Sequence, residues 1–237
     1  QDVELILRRG ETLGVVGESG SGKSTVARCV VRLIDPTSGD INVAGTNIAQ
    51  MAESELRAYR QKIQIVFQDP YRLLNPRRTV GQSIVEGPMN FGLSGTEAQS
   101  RAENLMRIVG LAPEALTRFP HQFSGGQRQR ICIARALAME PRVLIADEAV
   151  SALDVSVQAQ VLRLLQDVRE RYDLAMLFIT HDLRVAAQIC DRIMVMQRGV
   201  VVEEGRTSEV YANPQHPYTR SLLNAAPGRE TNFARYS

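Results

Sequence analysis

Apolar residues along this chain gather into compact runs, separated by stretches in which they recur at helical spacing. VELIL (3–7) and TLGVVG (12–17) flank the turn RRGE and read as neighbouring strands. IQIVF (63–67), VLIAD (143–147), AMLFIT (175–180) and IMVM (193–196) are each bounded by polar residues. Such runs fit strands buried on both faces, as in a parallel sheet covered by helices. QRG (197–199) then joins IMVM to VVVEEG as a hairpin. KSTVARCVVRL (23–33) predicts a helix that Pro36, Ser38 and Gly39 end. Between the runs at 63–67 and 143–147 no comparable strand is visible. That stretch carries helical segments near 79–86, 96–109 and 127–139, punctuated by Pro and Gly. The pattern predicts an α/β core with a mostly parallel sheet and an inserted helical lobe. From about Pro227 the chain turns polar, and its end is expected to fray.

Composition narrows this picture only a little. The 237 residues suffice for one large domain, and 44% hydrophobic with 23% charged is ordinary for a globular protein. A net charge of +2 gives no argument for nucleic acid. No apolar run approaches the roughly 18 residues that span a bilayer, and nothing resembles a signal peptide. Cys29, Cys132 and Cys190 lie far apart in apolar settings, so they read as buried reduced thiols. The chain starts at Gln1 without a methionine, at the edge of a strand-like run, and is expected to be part of a longer polypeptide. Of 28 basic residues only Lys23 and Lys62 are lysines, which singles out the placement of Lys23.

Lys23 falls in GESGSGKST (17–25), a Gly, four residues, Gly-Lys-Ser pattern placed after a strand and opening a helix. Gly17, Gly20 and Gly22 allow backbone N–H groups to wrap phosphates, with Glu18, Ser19 and Ser21 completing the turn. Lys23 reaches the terminal phosphates, the Ser24 hydroxyl can ligate Mg²⁺, and Thr25 continues the helix start. VLIADE delivers Asp147 and Glu148 to a strand's C-terminal end, where ligands bind in open α/β sheets. Asp147 can hold the Mg²⁺ shell, while Glu148 can orient or deprotonate an attacking water. IVFQ and LFITH place Gln68 and His181 at two further strand ends. There Gln68 could sense Mg²⁺ or water, and His181 could contact the γ-phosphate. HQFSGGQRQR (121–130) contains a second glycine loop, with Ser124 and Gln127 spaced as a capping box at a helix start.

These pieces, in this order, closely resemble the ATP-binding-cassette ATPases: GESGSGKST, Gln68, FSGGQ (123–127), IADE (145–148), SALD (151–154) and His181. The resemblance implies a P-loop NTPase (RecA-like) fold. The catalytic core with a small antiparallel β lobe would occupy 1–68 and 140–210, the helical lobe about 69–139, and a C-terminal tail 211–237. It implies ATP and Mg²⁺ as ligands, with Ser24, Gln68 and Asp147 around the metal and Glu148, His181 and Gln68 in catalysis. It also implies a second cassette packed head to tail, so that Ser124, Gly125, Gly126, Gln127 and Asp154 meet the partner's nucleotide. An isolated monomer would then hydrolyse ATP poorly.

QDPYRLLNPRRTVGQSI (68–84) and NPQHPYTRSLLNAAP (213–227) look like the ATPase subunits of bacterial oligopeptide, dipeptide and nickel importers. Pro217 near the first turn of a tail helix would suit that segment. The narrower resemblance implies membrane permease subunits, met through the stretch from Gln68 to about Gly92. It implies an extracytoplasmic solute-binding protein as an indirect partner, no nucleic acid, and a place on the cytoplasmic face of the bacterial inner membrane. Two departures stand out. The family stacks adenine on an aromatic residue upstream of the phosphate loop, yet none of the 16 residues before Gly17 is aromatic, so nucleotide binding is expected to be weakened. No cysteine follows Cys190, so the iron–sulfur cluster of some relatives is not expected. The alternatives are a cassette ATPase acting on nucleic acid or the ribosome, and a regulatory cassette that binds nucleotide without hydrolysis. The absence of a heptad run between the two glycine loops argues against the first; intact Lys23, Asp147, Glu148 and His181 argue against the second.

Overall fold

The structure is a computed structural model that describes residues 3–225. The end expected to fray from Pro227 lies outside them. In chain order the elements are β1 (Thr12–Val16), α1 (Lys23–Val30), β2 (Asn42–Val43), β3 (Thr46–Asn47), α2 (Glu53–Lys62) and β4 (Ile63–Phe67). Next come α3 (Pro70–Leu73), α4 (Val80–Asn90), α5 (Gly95–Ile108), two 3₁₀ turns (Pro113–Thr117 and Pro120–Gln122) and α6 (Gly125–Leu137). The remainder is β5 (Val143–Asp147), α7 (Val155–Tyr172), β6 (Ala175–Thr180), α8 (Leu183–Ile189), β7 (Arg192–Gln197), β8 (Val200–Arg206), α9 (Thr207–Ala212) and α10 (Pro217–Ala225).

Six strands form one sheet in the order β4-β5-β6-β1-β7-β8, parallel except for the β7–β8 hairpin. Alternation along each strand explains the unbroken apolar runs. Leu144, Ala146, Met176, Phe178, Ile193 and Val195 face one core shared with helices between β4 and β5 and with α7. Leu13, Val15, Ile145, Leu177, Ile179, Met194 and Met196 face a second core with Ala27, Ile48 and Leu56. A strand buried on both sides has no polar face to alternate. The β7–β8 turn is Arg198–Gly199, both at positive φ (50° and 82°), the twist that suits a two-residue hairpin. No helix among the described residues is long and apolar enough to cross a membrane.

The expectation that 3–7 is a strand beside 12–17 does not hold. Both edges of β1 are occupied, by β6 and β7, so no ladder position remains there for a sequence neighbour. Residues 3–7 still alternate, with Val3, Leu5 and Leu7 packed on the second core and Ile6 exposed. Among the described residues the antiparallel lobe is reduced to β2 paired with β3, joined through Ala44 and Gly45 at positive φ. Helix α1 also ends earlier than the apolar pattern predicts. Arg32 turns to φ 54°, and the Leu33 and Ile34 N–H groups fold back onto the Arg28 carbonyl.

Phe178 is the largest of the fully buried side chains and lies mid-sheet in the first core. Phe178→Ala is expected to destabilise the chain by about 3–5 kcal/mol in chemical denaturation. A loss below about 1 kcal/mol would mean that the surrounding side chains close over the cavity.

Candidate functional site

Strand register brings the sequence motifs to one edge. Phe67 lies opposite Asp147, Asp147 opposite Ile179, and Ile179 opposite Val15, across four adjacent strands. Gln68, Glu148, His181 and Gly17 therefore leave the sheet together at the carboxyl ends of parallel strands. Ligands bind at that edge in open α/β sheets.

Between β1 and α1 the chain forms a loop that only glycine can complete at two points. Gly17, at φ 154°, runs so close to β7 that a Cβ would collide with the Met196 carbonyl. Gly22, at φ 102°, is the N-cap of α1 and offers no side chain to the free N–H groups of the first turn. An uncapped helix start aimed along a loop is a ready anion site. Lys23 reaches back through the loop, its Nζ donating to Gly17 O at 2.8 Å and Glu18 O at 2.7 Å, with Ser21 Oγ at 3.4 Å. Glu18, Ser19, Gly20 and Thr25 are exposed, whereas Ser21 and Lys23 are buried.

The first turn of α1 also reaches β5: Ser24 Oγ donates to Asp147 Oδ1 at 2.8 Å. Burial pushes the Asp147 carboxyl above its usual range and the Glu148 charge adds to this, although the Ser24 bond, Arg28 and Lys23 pull it down. Burial conversely lowers Lys23, against the carboxylates of Glu148, Asp147 and Glu18. The result is an ammonium and a carboxylate that are both incompletely compensated. Each has affinity left for an incoming opposite charge.

Glu148 adopts φ 50°, a left-handed conformation costing a non-glycine residue roughly 1–2 kcal/mol. Its N–H donates to Ile179 O at 3.0 Å, and its carbonyl accepts from the Ser151 N–H (3.1 Å) and hydroxyl (3.0 Å). This turn aims the carboxylate toward β6, where Glu148 Oε2 lies 3.5 Å from His181 Nδ1. Gln68 is exposed at the end of β4.

The second glycine loop is a helix cap, as its spacing predicts. Ser124 Oγ accepts the Gln127 N–H at 3.3 Å, and Gln127 Oε1 accepts the Ser124 N–H at 3.0 Å. Gly125 faces open space, while a Cβ on Gly126 would collide with Val157 in the first turn of α7. Asp154, exposed, is the N-cap of that helix, so the two loops sit against each other. Among the described residues, no hydrogen bond joins Ser124–Gln127 or Asp154 to the phosphate loop. Motif reading missed two contacts to the site. Fully buried Gln129 donates from Nε2 to Phe67 O (3.2 Å), immediately before Gln68. Tyr218 Oη, from α10, accepts the Glu18 N–H at 3.1 Å. Both link segments too distant for local patterns to reveal.

Beside the phosphate loop, Gly22, Thr25 and Val26 open onto a cleft of about 860 Å³ whose other walls include Val3, Leu5 and Ile41. Among the described residues, no aromatic side chain lines it. Cys132 and Cys190 are buried and unpaired, and burial pushes the Cys132 thiol up to about 12.

A profile of the ABC transporter family matches residues 1–151, and one described as the oligopeptide/dipeptide transporter C-terminal region matches residues 202–232. A protein of Sinorhizobium fredii named as a probable peptide ABC transporter ATP-binding protein is 54% identical over 236 residues, covering 99% of this chain and 67% of its own length. The glutathione import ATP-binding protein GsiA of Escherichia coli is 51% identical over 236 residues, covering 99% of this chain and 38% of its own length. Among solved structures, cbiO1 of Clostridium perfringens, part of the ABC transporter complex cbiONQ, superposes with a TM-score of 0.82 at 31% identity, over 89% of this chain and 83% of that one. The dimeric ATP-binding cassette MJ0796, bound to ADP and Pi, gives 0.79 at 31% identity over 87% and 90%. Sheet order, loop and relatives agree: the chain belongs to the ABC transporter family and is one of its P-loop ATPase cassettes.

Proposed function

We propose that this cassette binds MgATP at residues 17–25 and hydrolyses it to drive import of peptides or related small solutes through separate membrane permease subunits. The observation that carries the reading is the bonded pair Ser24–Asp147 beside buried Lys23, with Glu148 and His181 at the same sheet edge. The cargo class follows the names of the peptide and glutathione import relatives and the match to the peptide-transporter C-terminal region.

The donors present suit Mg²⁺. Ser24 and Asp147 offer hard oxygen atoms, Gln68 could add an amide oxygen, and the described residues hold no cluster of three or more His, Cys, Asp or Glu able to cage a metal. Mg²⁺ prefers few protein ligands together with waters and substrate phosphates. Bound there, it would neutralise charge developing on the phosphates. Within residues 17–25, backbone N–H groups other than that of Glu18 would cradle the phosphates, with Lys23 keeping its seat on the Gly17 and Glu18 carbonyls and directing its remaining N–H toward them. Glu148 would orient or deprotonate the attacking water, and His181, held beside it, would contact the γ-phosphate. Ser124, Gly125, Gly126, Gln127 and Asp154 would serve the nucleotide of a second cassette packed head to tail, an arrangement consistent with their lack of bonds to this chain's own phosphate loop. Nucleotide trapped between two such loops favours the closed dimer until hydrolysis removes it.

Permease contact would fall to the segment from Gln68 to about Gly92, where Tyr71, Met89 and Phe91 are exposed. On this reading the cassette works at the cytoplasmic face of the bacterial membrane, and an extracytoplasmic solute-binding protein selects the cargo.

Glu148→Gln is expected to lower ATP turnover by about 10²–10⁴-fold, while ATP-bound dimers accumulate in size-exclusion chromatography. Unchanged turnover would remove Glu148 from the chemistry. Asp147 supplies a stability test in the nucleotide-free protein. Because its folded pKa is raised, the carboxyl costs nothing in acid, where it is protonated folded and unfolded. The cost grows as pH rises from the unfolded pKa through the folded one. Asp147→Asn should therefore raise the Tm of the chain at pH 7 while losing Mg²⁺-dependent hydrolysis. The gain should shrink below the carboxylate range; a lower Tm at pH 7 would show that the charge stabilises the fold.

A further inference from the structure

The C-terminal segment NPQHPYTRSLLNA (213–225) does more than cover the core. Helix α10 opens on Pro217, and Tyr218, Leu222 and Leu223 pack against the first core. Its start is tied to strand β8 by one carboxylate: Glu203 accepts the Gln215 N–H at 2.7 Å and the His216 N–H at 3.0 Å. His216 Nδ1 in turn accepts the Tyr218 N–H at 3.2 Å, and Arg220 Nε donates to Pro214 O at 2.8 Å. The turn preceding β8 is itself joined to the phosphate loop, through the Gly199 N–H donating to Ser21 O at 2.9 Å. Tyr218 thus projects from a fixed frame.

From that frame the phenol oxygen meets the Glu18 N–H at 3.1 Å. This N–H belongs to the Gly17–Glu18 peptide, whose carbonyl accepts from Lys23 Nζ at 2.8 Å. One peptide plane is therefore held at both ends, by Tyr218 on its N–H and by Lys23 on its C=O. The hold matters because this plane adjoins Gly17, where the absence of a Cβ leaves the backbone free to rotate. A rotated plane would take away one of the two carbonyls that seat the buried ammonium.

We propose that Tyr218 is a positioning residue for nucleotide binding: its hydroxyl fixes the Gly17–Glu18 peptide, and so the seat of Lys23, from the C-terminal helix. The C-terminal segment thereby sets the affinity of the phosphate loop for the triphosphate. The inference rests on the reading of residues 17–25 as the nucleotide loop.

Tyr218→Phe keeps the ring on the core and removes one hydrogen bond. With the whole chain, calorimetric Kd for MgATP and the KM for ATP should rise about fivefold, the effect of one net hydrogen bond, with kcat within twofold and Tm lowered by no more than about 4 °C. Amide exchange at Glu18 in the nucleotide-free protein should accelerate in the same variant, and that measurement needs no activity. Kd, KM and Glu18 exchange equal to wild type would overturn the proposal, as would a fall in kcat at constant KM. A wild-type chain that fails to bind MgATP would overturn the nucleotide reading of the loop, and the inference with it.

Discussion

A buried ammonium is tolerable only where oxygen atoms surround it. Lys23 is 3% exposed, and much of this structure follows from seating it. Two carbonyls of its own loop accept hydrogen bonds from it, which requires the backbone to fold back over the side chain and so requires glycine at Gly17 and Gly22. Of the three carboxylates that supply counter-charge, the two with the largest effect, Glu148 and Asp147, come from the end of β5, two strands away from β1. Helix α1 therefore has to cross the sheet on leaving the loop, which it does by placing Ser24 against Asp147. The sheet order, the glycine positions and the acidic strand end are separate features of the sequence, but one charge makes them interdependent.

The same interdependence separates what could be read along the chain from what could not. Strands β4 to β7 were legible because two-sided burial writes itself as continuous apolar residues, and the candidate site because its side chains sit at the ends of those strands. Segment 3–7 was misread because its alternation is real but its pairing depends on which edges of β1 are taken, a fact fixed by residues 176–180 and 192–195. The β2–β3 pair escaped notice because two residues carry no period. Tyr218 and Gln129 escaped for a simpler reason. Their partners, Glu18 and Phe67, lie 200 and 62 residues away, beyond any local pattern.

Gln129 also shows how the two glycine loops can belong to one device. It lies in helix α6, whose N-cap is Ser124, and it donates to the carbonyl of the residue before Gln68. Its neighbours add to the seam: the Arg128 guanidinium stacks on Tyr71, 4.0 Å from the ring centre, and Arg135 Nη1 donates to Leu73 O at 2.7 Å. Strand β4 leads into Gln68 at the sheet edge where Mg²⁺ is proposed to bind, and the seam fastens residues 67–73 to α6 at three points. A change at Gln68 that displaces residues 67–73 must carry α6 with it or break those bonds. On the proposed reading, the sheet edge that meets Mg²⁺ and the helix whose cap is offered to the other cassette are therefore joined directly, through Gln129, Arg128 and Arg135.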